Sequence, residues 1–157
     1  MTTLQPPTRR LTVKAVLGLL LAVLVIGGIA ATSSAATSAS APRRGALHVT
    51  KECSEYTGLA DSYCTITSSN LKAIKVGSRV VYLQGAGPTS LDSDIVLVVG
   101  PGNYALGHVT LDFTTGTGEV TIWGGVGHFE DFQAKAAVSA LGGPDWAWDG
   151  KYRFHRH

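Results

Sequence analysis

Runs of β-branched and aromatic residues alternate with glycine-rich turns from Ala46 to the end of the chain. This pattern is the feature of the sequence that most narrows the possible fold classes. The apolar run 93–99 ends at the turn 100–103, which reads Gly-Pro-Gly-Asn, and the next run, 104–113, alternates in character. Turn signals recur about every ten residues, a spacing typical of all-β sandwiches and barrels. The sequence therefore predicts an all-β fold of about eight antiparallel strands. A closed barrel is favoured because closure leaves no open sheet edge.

The segment 131–141 is the one stretch that fits two kinds of secondary structure. Its alanines favour a helix, whereas Phe132, Ala134, Ala136 and Val138 alternate with the period of a strand. Every neighbouring segment is a predicted strand, and glycines on both sides suit tight corners. We therefore predict a strand here as well.

The first part of the chain has the layout of an export signal. A charged head at 8–14 is followed by an unbroken apolar or glycine run at 15–31 and by small residues at 32–41. This order of charge, apolar core and small residues is that of a secretory signal peptide. We therefore predict a signal peptide at 1–36 and a secreted, extracellular protein.

The leader leaves two alternatives open. Its apolar run has seventeen residues, at the lower edge of what spans a bilayer, so a signal-anchored protein is one alternative. Arg9 and Arg10 resemble the pair of a twin-arginine signal, although Thr12 stands where that signal has a bulky residue. After the signal we predict a linker at 37–45 and one β-barrel domain at 46–157, a size that buries a single core.

The formal net charge of +2 comes from the leader. The whole chain has thirteen lysines and arginines and eleven acidic residues, but Arg9, Arg10 and Lys14 precede every acidic residue. Without those three, ten basic groups stand against eleven acidic ones. Nucleic-acid-binding domains carry a basic footprint, and none remains here. We therefore predict no nucleic-acid partner, and membrane contact only through the leader before cleavage.

Cys53 and Cys64 are the only cysteines, and they stand eleven positions apart. In an exported domain an even pair predicts a structural disulfide that closes a short loop. By the loop-entropy model it contributes about 2–3 kcal/mol. A metal site needs two further ligands, and a redox pair is usually Cys-x-x-Cys, so both alternatives are weaker. No metal and no cofactor are predicted.

Three charged residues are candidates for catalysis. Asp94 and Asp112 lie in otherwise apolar strands and would act as general acid and base if both faced one cavity. The simpler interpretation places them at strand ends, in solvent or bonded to turn amides. Arg79 is an anion stabiliser if Val81 and Leu83 face inward, and otherwise Tyr82 is the residue that faces the cavity.

Aromatic residues are the candidates for ligand binding. Tyr82, Trp123 and Trp146 would line a pocket by stacking, and the alternative is that the tryptophans plug the ends of a small barrel. His108 and His128 are interpreted as ordinary hydrogen-bonded or exposed histidines, because no third metal ligand accompanies them.

The turn 124–129, Gly-Gly-Val-Gly-His-Phe, enters an alanine-rich strand after a hairpin and resembles a turn of the allene oxide cyclase and dirigent-like barrels. The resemblance covers about 78–141, with Val126 where that family usually has Thr and Gln133-Ala134 in place of a glycine. The mature chain is also similar to small secreted actinobacterial proteins of that barrel group. The resemblance implies an eight-stranded barrel with a central cavity, assembled as a homodimer or homotrimer. It carries no catalytic residue onto this chain.

Three classes of function follow from these observations. The first is a binding protein that holds a small apolar ligand in the central cavity. The second is an isomerase (cyclase) or dirigent-type auxiliary that steers ring closure or coupling of a reactive intermediate, and the third is a structural or interaction protein of the cell exterior. The first ranks ahead because the sequence has no concentrated set of titratable groups, which catalysis usually needs.

Overall fold

The computed structural model describes residues 43–155, so the predicted signal peptide and most of the predicted linker lie outside the described residues. The described chain forms eight strands and one short 3₁₀ turn, Gly127–Phe129. The first strand begins at Arg44, so the end of the predicted linker belongs to the barrel. The strands are β1 Arg44–Glu52, β2 Tyr63–Ser69, β3 Arg79–Tyr82, β4 Ser90–Gly100, β5 Asn103–Asp112, β6 Thr117–Val126, β7 Phe132–Gly142 and β8 Asp145–Phe154.

The strands form a closed antiparallel barrel in which each strand pairs with the next and β8 pairs with β1. The closing ladder runs from Arg44 opposite Arg153 to Glu52 opposite Asp145. This confirms the predicted all-β, eight-stranded antiparallel barrel. The ambiguous segment is strand β7, as predicted, and pairs with β6 and β8. Within residues 43–155 no helix has the length and apolar character needed to cross a membrane.

Alternate residues of each strand fill the barrel interior. Trp148, Phe129 and Phe132 are the largest of the fully buried side chains. On β3 the inward residues are Val80 and Tyr82, whereas Arg79 and Val81 lie on the outer face. Of the two alternatives left open for this strand, Tyr82 is therefore the residue that points inward.

The glycine turn that carries the family resemblance has a structural explanation. Gly127 has φ +65°, and a Cβ there would collide with the carbonyl oxygen of Gly102 in the β4–β5 turn. A Cβ on Gly125 would likewise collide with the carbonyl oxygen of Tyr104. The two glycines let the end of β6 pack directly against the neighbouring backbone, which places Phe129 in the core.

We expect Gly127→Ala to lower the free energy of unfolding by about 2 kcal/mol or more, since a left-handed backbone and a backbone collision add together. The matched control is Gly143→Ala, because Gly143 also has positive φ (+56°) but a methyl group added there would have no atom within 4 Å. Urea denaturation of both variants measures the difference. An equal loss in the two variants would show that the collision is relieved at no cost.

Candidate functional site

A lysine side chain lies inside the barrel. Leu47, Val49 and Lys51 share the inward face of β1, and only 3% of the Lys51 surface is exposed. An ammonium group loses its hydration when it is buried and therefore needs partners. Among the described residues, Lys51 is therefore a rare case of a buried charged side chain.

Three kinds of neighbour surround the Lys51 amine. Nζ lies 2.7 Å from the hydroxyl oxygen of Tyr82, and 3.6 Å and 3.7 Å from the Sγ atoms of Cys53 and Cys64. The ring centroids of Tyr82, Trp146 and Trp148 lie 5.5–5.8 Å from Nζ. No ion pair among residues 43–155 involves Lys51. The amine is therefore held by a phenol, two sulfur atoms and aromatic faces, without a carboxylate.

Burial changes the acidity of this cluster. It lowers the pKa of Lys51 from 10.5 to about 7, because the charged form is poorly solvated. Burial, and then the neighbouring Tyr56, raises the pKa of Tyr82 well above its usual value. Near neutral pH the amine therefore exists in both protonation states beside a protonated phenol. The same short contact serves both states, since the ammonium donates to the phenol oxygen and the phenol donates to the neutral amine.

We expect the free energy of unfolding to rise with pH between about 7 and 9.5. In this window the unfolded chain keeps the Lys51 proton and the folded chain releases it, so the unfolded state binds more protons. The slope from one such group approaches about 1.4 kcal/mol per pH unit. Urea denaturation at several pH values measures it.

Lys51→Met should remove that slope, whereas Lys151→Met, which alters an exposed lysine, should retain it. The same slope in wild type and in Lys51→Met would contradict a neutral buried amine.

A second feature is a groove of about 780 Å³ on the outside of the barrel, across β1, β6, β7 and β8. The exposed side chains of Ala46 and Trp123, the latter 51% exposed, contribute apolar lining, whereas the side chains of Ile122, Ala134 and Tyr152 beneath the groove point into the core. The groove lining includes four cationic side chains and no carboxylate. The cations are Arg44, Lys135, Lys151 and Arg153.

Glycines bring the strands of this groove close together. A Cβ on Gly150 would collide with the carbonyl oxygen of Lys135 on β7, and a Cβ on Gly45 would lie 3.2 Å from the Tyr152 ring. Without these two methyl groups β8 sits close to β7, and the Tyr152 ring occupies the space beside β1. The close approach of β8 to both of its neighbours, β7 and β1, therefore depends on these two glycines.

The four cations of the groove differ in how strongly they are already bound. Lys135 forms an ion pair with Glu119 at 2.9 Å, and the Arg153 guanidinium donates two hydrogen bonds to the side-chain oxygen of Gln133. No ion pair of residues 43–155 involves Arg44 or Lys151. Both of these side chains are exposed, so they are free to bind an anion.

The candidate catalytic residues all lie on the outer surface. Arg79 stacks on the Tyr63 ring, 4.5 Å from its centroid, and Asp94 contacts His108 Nδ1 at 3.0 Å. Asp112 accepts a hydrogen bond from the Thr114 amide, which lowers the pKa of its carboxyl group. The structure therefore does not place Arg79, Asp94 and Asp112 around a common interior cavity.

The candidate ligand-binding residues divide between the two features. Tyr82 and the half-buried Trp146 belong to the Lys51 cluster, while Trp123 lines the outer groove. Trp148 is buried in the core, as expected of a tryptophan that plugs a small barrel. The predicted disulfide is confirmed, since Cys53 and Cys64 are bonded to each other.

The histidines make local polar contacts. His108 lies between Asp92 and Asp94, at 3.1 Å and 3.0 Å, and the His128 amide donates to the Asn103 side chain. In the part of the chain that the structure describes, no three His, Cys, Asp or Glu side chains come together as a metal site.

The alternation of residues in β1 indicated that Lys51 faces inward, but a lysine is ordinarily expected in solvent. Leu47 and Val49 precede it at a spacing of two, which places Lys51 on the same face of a strand. The groove had no such signal, because its lining comes from four strands and its shape depends on how closely they approach.

Comparison of the chain with protein-family models, with curated proteins and with solved structures gave no match. The relationship to the allene oxide cyclase and dirigent-like barrels stays a prediction from the glycine turn.

Proposed function

We propose that this protein is a binding protein of the cell exterior that holds a small amphiphilic anion in the outer groove. The observation that carries the proposal is the groove lining, which combines an exposed tryptophan, an exposed alanine and four cations without a carboxylate. The sequence predicted an apolar ligand in the barrel interior. Large side chains occupy that interior, so the outer groove is the better supported place for a ligand.

The volume and the lining of the groove suit a small molecule. Ligand sites generally have volumes of about 300–1,000 Å³ and apolar walls with a few placed polar groups. The groove has about 780 Å³, with the exposed side chains of Ala46 and Trp123 among its apolar lining. A hydrocarbon chain or an aromatic ring would remove the exposed surfaces of Ala46 and Trp123 from water.

The charge of the groove selects the polar end of the ligand. Arg44 and Lys151 have no carboxylate partner, so a carboxylate, sulfonate or phosphate would gain two cations without displacing an ion pair. Arginine binds such planar or tetrahedral groups through paired hydrogen bonds. A neutral apolar ligand would gain nothing from these cations, and a cationic one would be repelled.

We expect dodecanoate to bind and to change tryptophan fluorescence, and dodecyltrimethylammonium to bind much more weakly. Lys151→Gln should weaken dodecanoate binding about tenfold or more, because a hydrogen bond to a charged group contributes about 1.5–3 kcal/mol. Isothermal titration calorimetry measures the affinity, and Trp123→Phe should remove most of the fluorescence change.

The matched control is Lys72→Gln, which removes an exposed lysine that does not line the groove. Equal binding of the anionic and cationic detergents, or equal effects of the two lysine variants, would refute the groove as an anion site.

A second observation favours self-association. Apolar side chains continue across the outer faces of β3 to β6, and the strand register aligns them in two rows. We call this surface the outer apolar face, and we propose that it joins copies of the chain into a dimer or trimer. An apolar face of this kind on a soluble barrel is typical of an interaction surface. Its members are Val81, Val96, Leu106, Val98, Tyr104 and Val126.

We expect sedimentation equilibrium to give a dimer or trimer for the wild type and a monomer for Leu106→Lys, because a charge buried at an apolar interface is costly. Ala137→Lys is the control, since Ala137 is exposed on the outer face of β7. A monomeric wild type would refute the proposal. The cyclase or dirigent alternative has no supporting arrangement among the described residues and stays a prediction of the resemblance.

A further inference from the structure

The disulfide of this barrel has two unlike ends. It links the residue that follows β1 to the second residue of β2, and Tyr56 of the loop between them packs against the core and the Tyr82 ring. Cys64 is 1% exposed and belongs to the interior, whereas Cys53 is only partly buried. Cys53 is therefore the end of the disulfide that lies closer to solvent.

We propose that the Cys53–Cys64 disulfide is a thiol-exchange site, in which an external thiolate attacks Cys53 and Lys51 stabilises the Cys64 thiolate that leaves. The thiolate forms a new S–S bond with Cys53 Sγ, and the old S–S bond breaks with its electron pair on Cys64 Sγ. A dithiol then completes the reduction, because its second thiolate attacks the mixed disulfide and releases Cys53. The dithiol becomes a disulfide; one of its two protons ends on Cys53 and the other passes to solvent, because Lys51 is already protonated and Cys64 stays a thiolate.

The contacts of Cys64 explain why it would be the leaving group. Thiol–disulfide exchange is faster when the leaving thiol is more acidic, and burial in apolar surroundings by itself makes a thiol less acidic. Lys51 Nζ lies 3.6 Å from Cys53 Sγ and 3.7 Å from Cys64 Sγ, so it contacts both sulfur atoms, whereas the Tyr82 hydroxyl, 3.4 Å from Cys64 Sγ, contacts Cys64. An ammonium and a phenol are thus already in place to donate hydrogen bonds to the new thiolate.

The same step gives Lys51 the anion that it lacks. In the oxidised protein no carboxylate pairs with this amine in residues 43–155, and the titratable groups that face it are Tyr82 and, behind that ring, Tyr56. When the disulfide opens, the Cys64 thiolate and the Lys51 ammonium form a neutral pair in the interior. Opening the disulfide therefore gives the buried ammonium a partner of opposite charge.

The test is the rate at which glutathione forms a mixed disulfide with the folded, oxidised protein near neutral pH, measured by mass spectrometry. We expect the adduct on Cys53 and a rate about tenfold lower in Lys51→Met, since the leaving thiol loses its cation. When the rate is divided by the thiolate concentration of glutathione, it should fall between about pH 6.5 and 8.5 in the wild type as Lys51 loses its proton. In Lys51→Met this normalised rate should be independent of pH.

The control is Ile66→Val, which loosens packing beside Cys64 on β2 without a change of charge. It should retain the normalised pH dependence even where its rate differs. Reaction through the intact barrel needs no stable reduced state, so unfolding after full reduction does not affect the result. An adduct on Cys64, or the same pH dependence in wild type and Lys51→Met, would overturn the proposal, as would the absence of any adduct.

Discussion

The pairing of β1 with β8 is the interaction on which the other features depend. Nine residue pairs close the ring, from Arg44–Arg153 to Glu52–Asp145. In a closed sheet the direction of every side chain is fixed by the register of its neighbours, because successive residues point to opposite faces. Closure therefore decides at once that Lys51 lies inside and that Arg44 lies outside, on the groove.

The Lys51 cluster and the outer groove arise from different physical effects. The Lys51 cluster is a set of short contacts inside the barrel, and its properties follow from desolvation. The groove is a surface feature, and its properties follow from several exposed cations beside an exposed tryptophan. Because β1 contributes to both, the strand joins an interior site with an external one, although different faces of the strand are used.

Much of the fold could be predicted from the sequence, because the evidence for it is local. The turn 100–103 and the alternation in β7 both reflect backbone preferences that act within a few residues. For β3 the sequence left two orientations open, with either Arg79 or Tyr82 facing inward. Alternation shows which residues share a face of a strand, but it does not show which face is buried. Lys51 was missed because a charge is ordinarily placed in solvent. The groove could not be predicted, since its walls come from residues more than seventy positions apart.

The position of Lys51 has a mechanical consequence for the ring. A slip of β1 by one residue would carry the amine into water, but it would also carry Leu47 and Val49 there and bring His48 and Thr50 inside. Burial of Leu47 and Val49 thus holds the strand in register, although the Lys51 amine would be better solvated in water. Acidification keeps the Lys51 amine protonated and so favours its exposure to water. We therefore expect the barrel to open first at β1.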